Sequence, residues 1–334
     1  MSANRSIKVG IVGLGRSGWN LHAKALTADP QYRITAVCDQ SVQRLDQAKR
    51  ELGCEVYDDF YAFLGHPELE LVIIASTTKN HVWMARAALE KGLHVVLEKP
   101  LAASVAEVLE LKKASQQYKR ILSPYFNFRF KPDFVLIKKI LGEGLIGEPF
   151  LIKRQVGYFN RRDDWQSQAG ELGGILNADT IHAVDQVIQL AGNLPDDIWR
   201  DVRRVVSKGD APDHSKVLLR FPGGCVGDIE VSWAQALDGY EWLIYGPTGA
   251  IRRSGKKLLV RWFAEKDLAE TPTSDRSYFS AEKIGWQDRK YDVDDATTPL
   301  YYRLLFEAIL GRGPVPVELD GAIDTMRVME KISC

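Results

Sequence analysis

The stretch that most limits what this chain can fold into is Gly13-Leu14-Gly15-Arg16-Ser17-Gly18. It follows the apolar run IKVGIV at 7–12 and precedes the helix-like WNLHAKALTA. Glycines at this spacing between a strand and a helix make a phosphate-binding turn. Gly13 permits the tight turn, Gly15 lets backbone approach a pyrophosphate, and Gly18 lets the helix pack closely on the strand. Backbone N–H groups at the helix start, those of Arg16 and Ser17 among them, then face the phosphate charge. Asp39 lies 21 residues past Gly18, at the end of the apolar run ITAVCD. An acid there bonds the ribose hydroxyls of an adenosine and repels a 2′-phosphate. Gln40-Ser41-Val42 bring no immediate arginine, and Arg44 stands a turn further on. The expected cofactor is therefore NAD in preference to NADP, with NADP as the alternative. A tight glycine turn without a nucleotide is the bland reading of the same residues.

The runs LVIIAS (71–76), HVVLEK (94–99) and ILSPYF (121–126) continue the pattern, separated by amphipathic stretches such as SVQRLDQAKREL and NHVWMARAALEKG. Short Val- and Ile-rich runs flanked by helices predict an α/β domain over 1–125, a Rossmann-type doubly wound parallel sheet covered on both faces. Gly92 reads as a helix stop, and Ser104 with Glu107 as a capping box. From residue 126 the pattern changes. A helix is expected over 133–142, then longer alternating stretches: FLIKRQVGYF, DVRRVVSK, SKVLLRF, GDIEVSW, EWLIYG and KLLVRWF. Turn residues separate them at 221–224, 246–249 and 253–257. This predicts a second α/β domain over 126–334, with a large open, mostly antiparallel sheet that packs one face and offers the other to a partner. PLYYRLLFEAILGRG and LDGAIDTMRVMEKI read as two closing helices, free to pack back on the first domain.

The 334 residues give room for two cores. Lys plus Arg equals Asp plus Glu at 44 each, which argues against a nucleic-acid partner. Cys38, Cys54, Cys225 and Cys334 have no CxxC spacing and read as reduced thiols, with neither a disulfide frame nor a metal site. No signal-peptide layout and no apolar run near the ~20 residues of a membrane helix are present, so a cytoplasmic protein is expected.

Glu98-Lys99-Pro100 ends the run 94–99. In an open α/β sheet, ligands bind beyond the carboxyl ends of the strands, which puts Lys99 beside the expected nicotinamide. Pro100 restricts the backbone of Lys99 and suits a cis bond. An ammonium desolvated near a positive nicotinamide loses proton affinity, so Lys99 is suited to bonding a reacting hydroxyl. By spacing alone, a surface lysine at a strand end is an equal alternative.

GLGRSG, KGLHVVLEKP (91–100), NFRFKP (127–132) and GGILNADTIHAVD (173–185) occur in the order typical of the Gfo/Idh/MocA oxidoreductases, which the chain resembles over nearly its whole length. It is most similar to the sugar and inositol dehydrogenase branch. The resemblance implies a Rossmann domain, a second domain with an open antiparallel sheet, and homodimers or homotetramers built through that sheet. It also implies NAD(P)-linked oxidation or reduction of a small hydroxylated substrate: a sugar, polyol or inositol. Lys99 matches the family's catalytic lysine, His182 its acid/base histidine, and Asn127 an asparagine near cofactor and substrate. Where the family usually has a Thr-Pro pair, this chain has Ser76-Thr77-Thr78, with Thr78 where proline is common. Ser76, Thr77, Thr78 and Glu98 are carried over as cofactor contacts. His81 is read as packing or capping near the dinucleotide.

The family's third catalytic residue, an aspartate four residues before the histidine, is replaced by Ala178. Asn177, Asp179 and Asp185 stand nearby. On a regular helix Asp179 and Asp185 lie ~60° to either side of His182. Asp179, His182, Asp185, Gln186 and Gln189 then share a polar face opposite a buried stripe of Ile181, Val184, Ile188 and Ala191. Asp179 is the candidate third catalytic residue, or else a helix N-cap. Asp185 is a substrate contact, or else the structural partner that orients the imidazole. Tyr158, Arg162 and Trp165, from the run YFNRRDDW, are suited to gripping a hydroxylated ring, or form a charged surface loop. A catalytically silent dinucleotide sensor and an NAD-assisted hydrolase or isomerase are the rival functions.

Overall fold

The computed structural model describes residues 5–268, 284–294 and 299–333. The chain forms two compact units. One holds Met1–Asn127, Gln168–Gly173 and Thr298–Glu330; the other holds Phe128–Ser167, Gly174–Thr297 and Lys331–Cys334.

In the first unit, β1 (Ile7–Val12), β2 (Tyr32–Cys38), β3 (Glu55–Tyr57), β4 (Leu71–Ile74), β5 (His94–Leu97) and β6 (Leu122–Pro124) form a parallel sheet in the order β3-β2-β1-β4-β5-β6. Ile7, Val9, Ile11 and all four residues of β4 are fully buried, as expected of strands covered on both faces. Register decides where the chemistry sits. Val12 lies beside both Cys38 and Ile74, and Ile74 beside Leu97. Gly13, Asp39, Ala75 and Glu98 therefore all leave the sheet at one edge, where the strand order reverses and a crevice opens. A π-helical stretch, Arg16–Ala23, runs into α1 (Lys24–Thr27), followed by α2 (Val42–Leu52), α3 (Phe60–Leu64), α4 (Thr78–Glu90) and α5 (Val105–Tyr118). The capping box at Ser104 and Glu107 is present. β3 was not expected; at three residues on the sheet edge it is too short to show a periodic pattern.

The second unit begins with α6 (Pro132–Gly142), whose first position takes Pro132, and β7 (Leu151–Gly157). α7 (Ile181–Ala191) then packs on one face of an eight-stranded sheet completed by β8 (Asp197–Arg203), β9 (His214–Arg220), β10 (Val226–Ser232), β11 (Trp242–Gly246), β12 (Gly249–Ser254), β13 (Lys257–Trp262) and β14 (Gln287–Asp292). The order is β14-β13-β12-β11-β7-β10-β9-β8. β7 and β10 run parallel, and the other neighbours run antiparallel. The strand expected over 201–208 is displaced to Asp197–Arg203. The reason is Asp213, whose carboxylate accepts the backbone N–H groups of Val205, Val206 and Ser207 at 2.6, 2.8 and 2.5 Å and draws them out of the ladder. β12 and β14 went unforeseen because charged residues break their apolar alternation; Arg261 of β13, for example, pairs with Asp288 of β14 at 2.7 Å.

α8 (Leu300–Ile309) and α9 (Leu319–Ser333), the latter as far as Glu330, belong to the first unit. Tyr32 donates to the Tyr302 carbonyl at 2.6 Å, Tyr301 to the Ser123 hydroxyl at 2.9 Å, and Val105 N–H to Glu330 Oε1 at 2.7 Å. Cys38, Cys54 and Cys225 are free thiols, and Cys334 lies outside the described residues. Among the described residues no helix is long and apolar enough to cross a membrane.

Candidate functional site

The glycine turn is constrained where a dinucleotide would need it. Gly13 has φ +86°, and a Cβ there would stand 2.6 Å from the Ala75 carbonyl oxygen. A Cβ on Gly18 would meet the Gly13 carbonyl oxygen at 1.8 Å, whereas one on Gly15 would meet nothing within 4 Å. Two glycines are thus fixed by the chain's own packing, and the third faces open space of the kind a pyrophosphate fills. No side chain caps the helix that starts at Arg16, so its first N–H groups are available to an anion. Asp39 braces the turn: its Oδ2 accepts Leu14 N–H at 2.6 Å and its Oδ1 accepts Ser41 N–H at 2.8 Å. A carboxylate has about four lone-pair sites, so capacity for ribose hydroxyls remains. Arg44, half-exposed, reaches to 3.4 Å from Asp39 Oδ2.

Ser76 and Thr77 follow β4, and Thr77 is the residue before α4. Thr78 is the first helical residue, a position where proline is also favoured, which accounts for the exchange at this site. His81 is 1% exposed; its Nδ1 lies 2.9 Å from the Pro100 carbonyl and its Nε2 3.1 Å from the Ser76 carbonyl. Burial pulls its proton affinity below the usual histidine range, against the opposing effect of the two carbonyls. The ring joins the loop after β4 to the loop after β5.

Lys99-Pro100 is a cis peptide. The Glu98 side chain turns inward and is 5% exposed. Burial acts to raise its proton affinity, but the hydrogen bond from His22 and the nearby Lys99 prevail and lower it. His22 Nε2 is 3.1 Å from Glu98 Oε1, and Lys99 N–H donates to Glu98 Oε2 at 3.1 Å. His22 Nδ1 in turn lies 2.5 Å from the Tyr302 hydroxyl. Burial lifts the Tyr302 phenol well above its usual value, so it stays protonated and donates to Nδ1, leaving Nε2–H to donate to Glu98. Glu98 holds the backbone of Lys99. His22 and Tyr302 carry no local sequence signal for this role.

In the second unit the expected polar face of α7 exists but is covered. Every residue from Ile181 to Ile188 is buried, with His182 at 3% and Asp185 and Gln186 at 0% exposure. The cover is the segment after Asn127, which opens a short 3-10 stretch, Asn127–Phe130. Phe128 stacks on the His182 imidazole at 4.1 Å with 11° between the planes. Arg129 grips Asp185 with two bonds of 2.8 and 2.5 Å. Gln186 Nε2 donates to the Phe128 carbonyl at 2.8 Å, and its Oε1 accepts from Arg154 of β7 at 3.1 Å. Arg154 is fully buried, and desolvation brings its guanidinium down to about 10, which still leaves it charged at neutral pH.

Asp179 is not an N-cap. It sits in a π-helical turn, Leu176–Thr180, that runs unbroken into α7, and no side chain caps either start. The wider turn also voids the angular arithmetic of a regular helix for Asp179. Asp179 Oδ2 accepts from Trp233 Nε1 at 2.9 Å and from the Tyr158 hydroxyl at 3.2 Å. Arg162 lies over the Trp233 ring at 5.1 Å and binds Asp164 through two bonds. Tyr158, Arg162 and Asp179 thus converge on Trp233, a residue sequence reasoning missed. Trp165, 48% exposed, opens a separate short turn.

Residues 7–126 match the model of an oxidoreductase family with an NAD-binding Rossmann fold, and residues 134–252 match a GFO/IDH/MocA C-terminal domain. A scyllo-inositol 2-dehydrogenase (NADP(+)), IolW, of Bacillus subtilis strain 168 is 27% identical over 97% of this chain and 92% of its own length. A scyllo-inositol 2-dehydrogenase (NAD(+)) of the same strain is 32% identical over 68% of this chain and 67% of its own. The solved structure of the oxidoreductase YvaA from Bacillus subtilis superposes with a TM-score of 0.86 at 21% identity, covering 100% of this chain and 97% of that one, which speaks to the fold alone.

Proposed function

The chain belongs to the GFO/IDH/MocA oxidoreductase family, and from that membership we propose that it is an NAD-preferring dehydrogenase acting on a secondary alcohol, or the matching ketone, of a sugar, polyol or inositol. The observation that carries this is His182, an imidazole fixed flat against Phe128 on a buried helix. A group held in one orientation suits repeated proton transfer to and from a hydroxyl. In oxidation His182 takes the hydroxyl proton, and Lys99 is the group assigned to ease its loss. A bound nicotinamide supplies the hydride acceptor at its C4. Asp179 is the acid in place of the residue missing at Ala178, and with Tyr158 it contacts the ring hydroxyls. Homo-oligomer contact is assigned to the open face of the eight-stranded sheet.

Purified protein incubated with NAD and a panel of inositols, sugars and polyols is expected to show growing nicotinamide absorbance with one substrate class. NAD binding without turnover on any of them would favour the sensor reading, to which Ala178 lends weight.

Cofactor choice has its own test. Asp39→Asn removes the charge that repels a 2′-phosphate and frees Arg44 from its 3.4 Å ion pair. A charge-assisted hydrogen bond is worth about 1.5–3 kcal/mol, so selectivity for NAD over NADP is expected to fall by about tenfold or more. Titrating both cofactors against intrinsic fluorescence reads the ratio without any substrate. An unchanged ratio would remove Asp39 as the discriminator.

A further inference from the structure

The run NFRFKP contains more than the cover over α7. The Lys131 ammonium lies 3.6 Å from the centroid of the Phe128 ring whose plane stacks on His182 at 4.1 Å. Two groups this near one centroid would collide on the same face, so they occupy opposite faces. The ring is sandwiched between an ammonium and an imidazole.

This arrangement has an electrostatic consequence. An aromatic face attracts a cation through the ring quadrupole, and Lys131 already occupies one face of Phe128. Protonating His182 would place a second positive charge on the other face, roughly 7–8 Å from the first. Burial of the imidazole at 3% exposure acts in the same direction, because desolvation disfavours the charged form. The stack is fixed at both ends. Lys131 immediately precedes Pro132 at the start of α6, and the Phe128 carbonyl and Arg129 side chain are bonded to Gln186 and Asp185 of α7.

We propose that Lys131, acting through the Phe128 ring, holds His182 in its neutral, proton-accepting form. The proposal rests on the role of His182 as proton acceptor. Lys131 is a tuning and positioning residue in it, because it acts through another side chain. Other charged groups also face α7. Asp185 is neutralised by Arg129. Arg154, from β7 and bonded to Gln186, adds positive charge from the sheet side. Asp179, in the turn before α7 and held by Tyr158 and Trp233, acts the opposite way. Lys131 is the cation seated on the ring that touches the imidazole.

The test is an NMR titration of the His182 imidazole in the full chain, assigned by comparison with His182→Gln. In Lys131→Met the titration midpoint is expected to rise by about one to one and a half pH units, as a like charge at this distance gives with an effective dielectric near 20. Lys131→Arg, which keeps the cation, is expected to stay close to the parent. A His182 midpoint in Lys131→Met equal to or below the parent's overturns the proposal, whatever the chain's activity. If a polyol substrate is found, the acid limb of kcat/KM moves up with the titration. A raised midpoint with no turnover on any polyol supports the tuning and instead counts against the proposed dehydrogenase function.

Discussion

Lys99→Ala is expected to lower turnover by about 10²-fold or more, the usual scale for general acid–base assistance, while NAD affinity is expected to stay close to that of the parent. The two readouts separate because of how Lys99 is held. Its backbone N–H is anchored to Glu98, and Glu98 to His22. These bonds do not involve the ammonium, so the alanine variant keeps the backbone anchor of the loop after β5. Stopped-flow measurement of the hydride step beside a fluorescence titration with NAD checks both halves. Near-normal turnover with normal NAD binding would remove Lys99 from the chemistry.

The second large effect concerns stability. Arg129→Met leaves Asp185, whose side chain is 1% exposed, as a buried carboxylate without its two-bond partner. Breaking a buried pair from one side costs about 3–5 kcal/mol, a large part of the 5–15 kcal/mol typical of a domain. Urea unfolding of Arg129→Met is therefore expected to show a much lower midpoint. The double variant Arg129→Met/Asp185→Leu removes both charges and is expected to recover most of the loss. Its activity is not expected to recover with it, because the cover over His182 loses the two-bond clamp to Asp185 and keeps the single Gln186 bond to the Phe128 carbonyl. If the single variant unfolds at the parent midpoint, Arg129 does not clamp α7.

What was legible in the sequence follows from the range of each interaction. The glycine turn, Asp39, the cis-prone Lys99-Pro100 and the capping box at Ser104 are local motifs, readable from neighbours along the chain. So are the Val- and Ile-rich strands of the parallel sheet. β3 is too short to be read this way, and β8 is shifted by an aspartate ten residues beyond its end. Within the site, His182 is visible as a motif, but its surroundings are not. Arg129 and Asp185 are 56 positions apart, and His22 and Glu98 are 76. Both pairings are decided by which surfaces the fold brings together. The direction of Asp179 is hidden for a different reason: helix arithmetic assumes 3.6 residues per turn, and the chain uses a wider turn there.

The closing helices bear on how the protein is made. The hydroxyl that orients His22, and through it the loop carrying Lys99, comes from Tyr302, and the acceptor for Val105 N–H comes from Glu330. A fragment cut after Asn127 would keep every strand of the parallel sheet and yet leave His22 Nδ1 and the start of α5 without these partners. Synthesis runs from the amino end, so the half of the molecule that emerges first is completed last. Until the final helices arrive, the loop after β5 is held through Glu98, His22 and His81 but lacks the Tyr302 end of that chain.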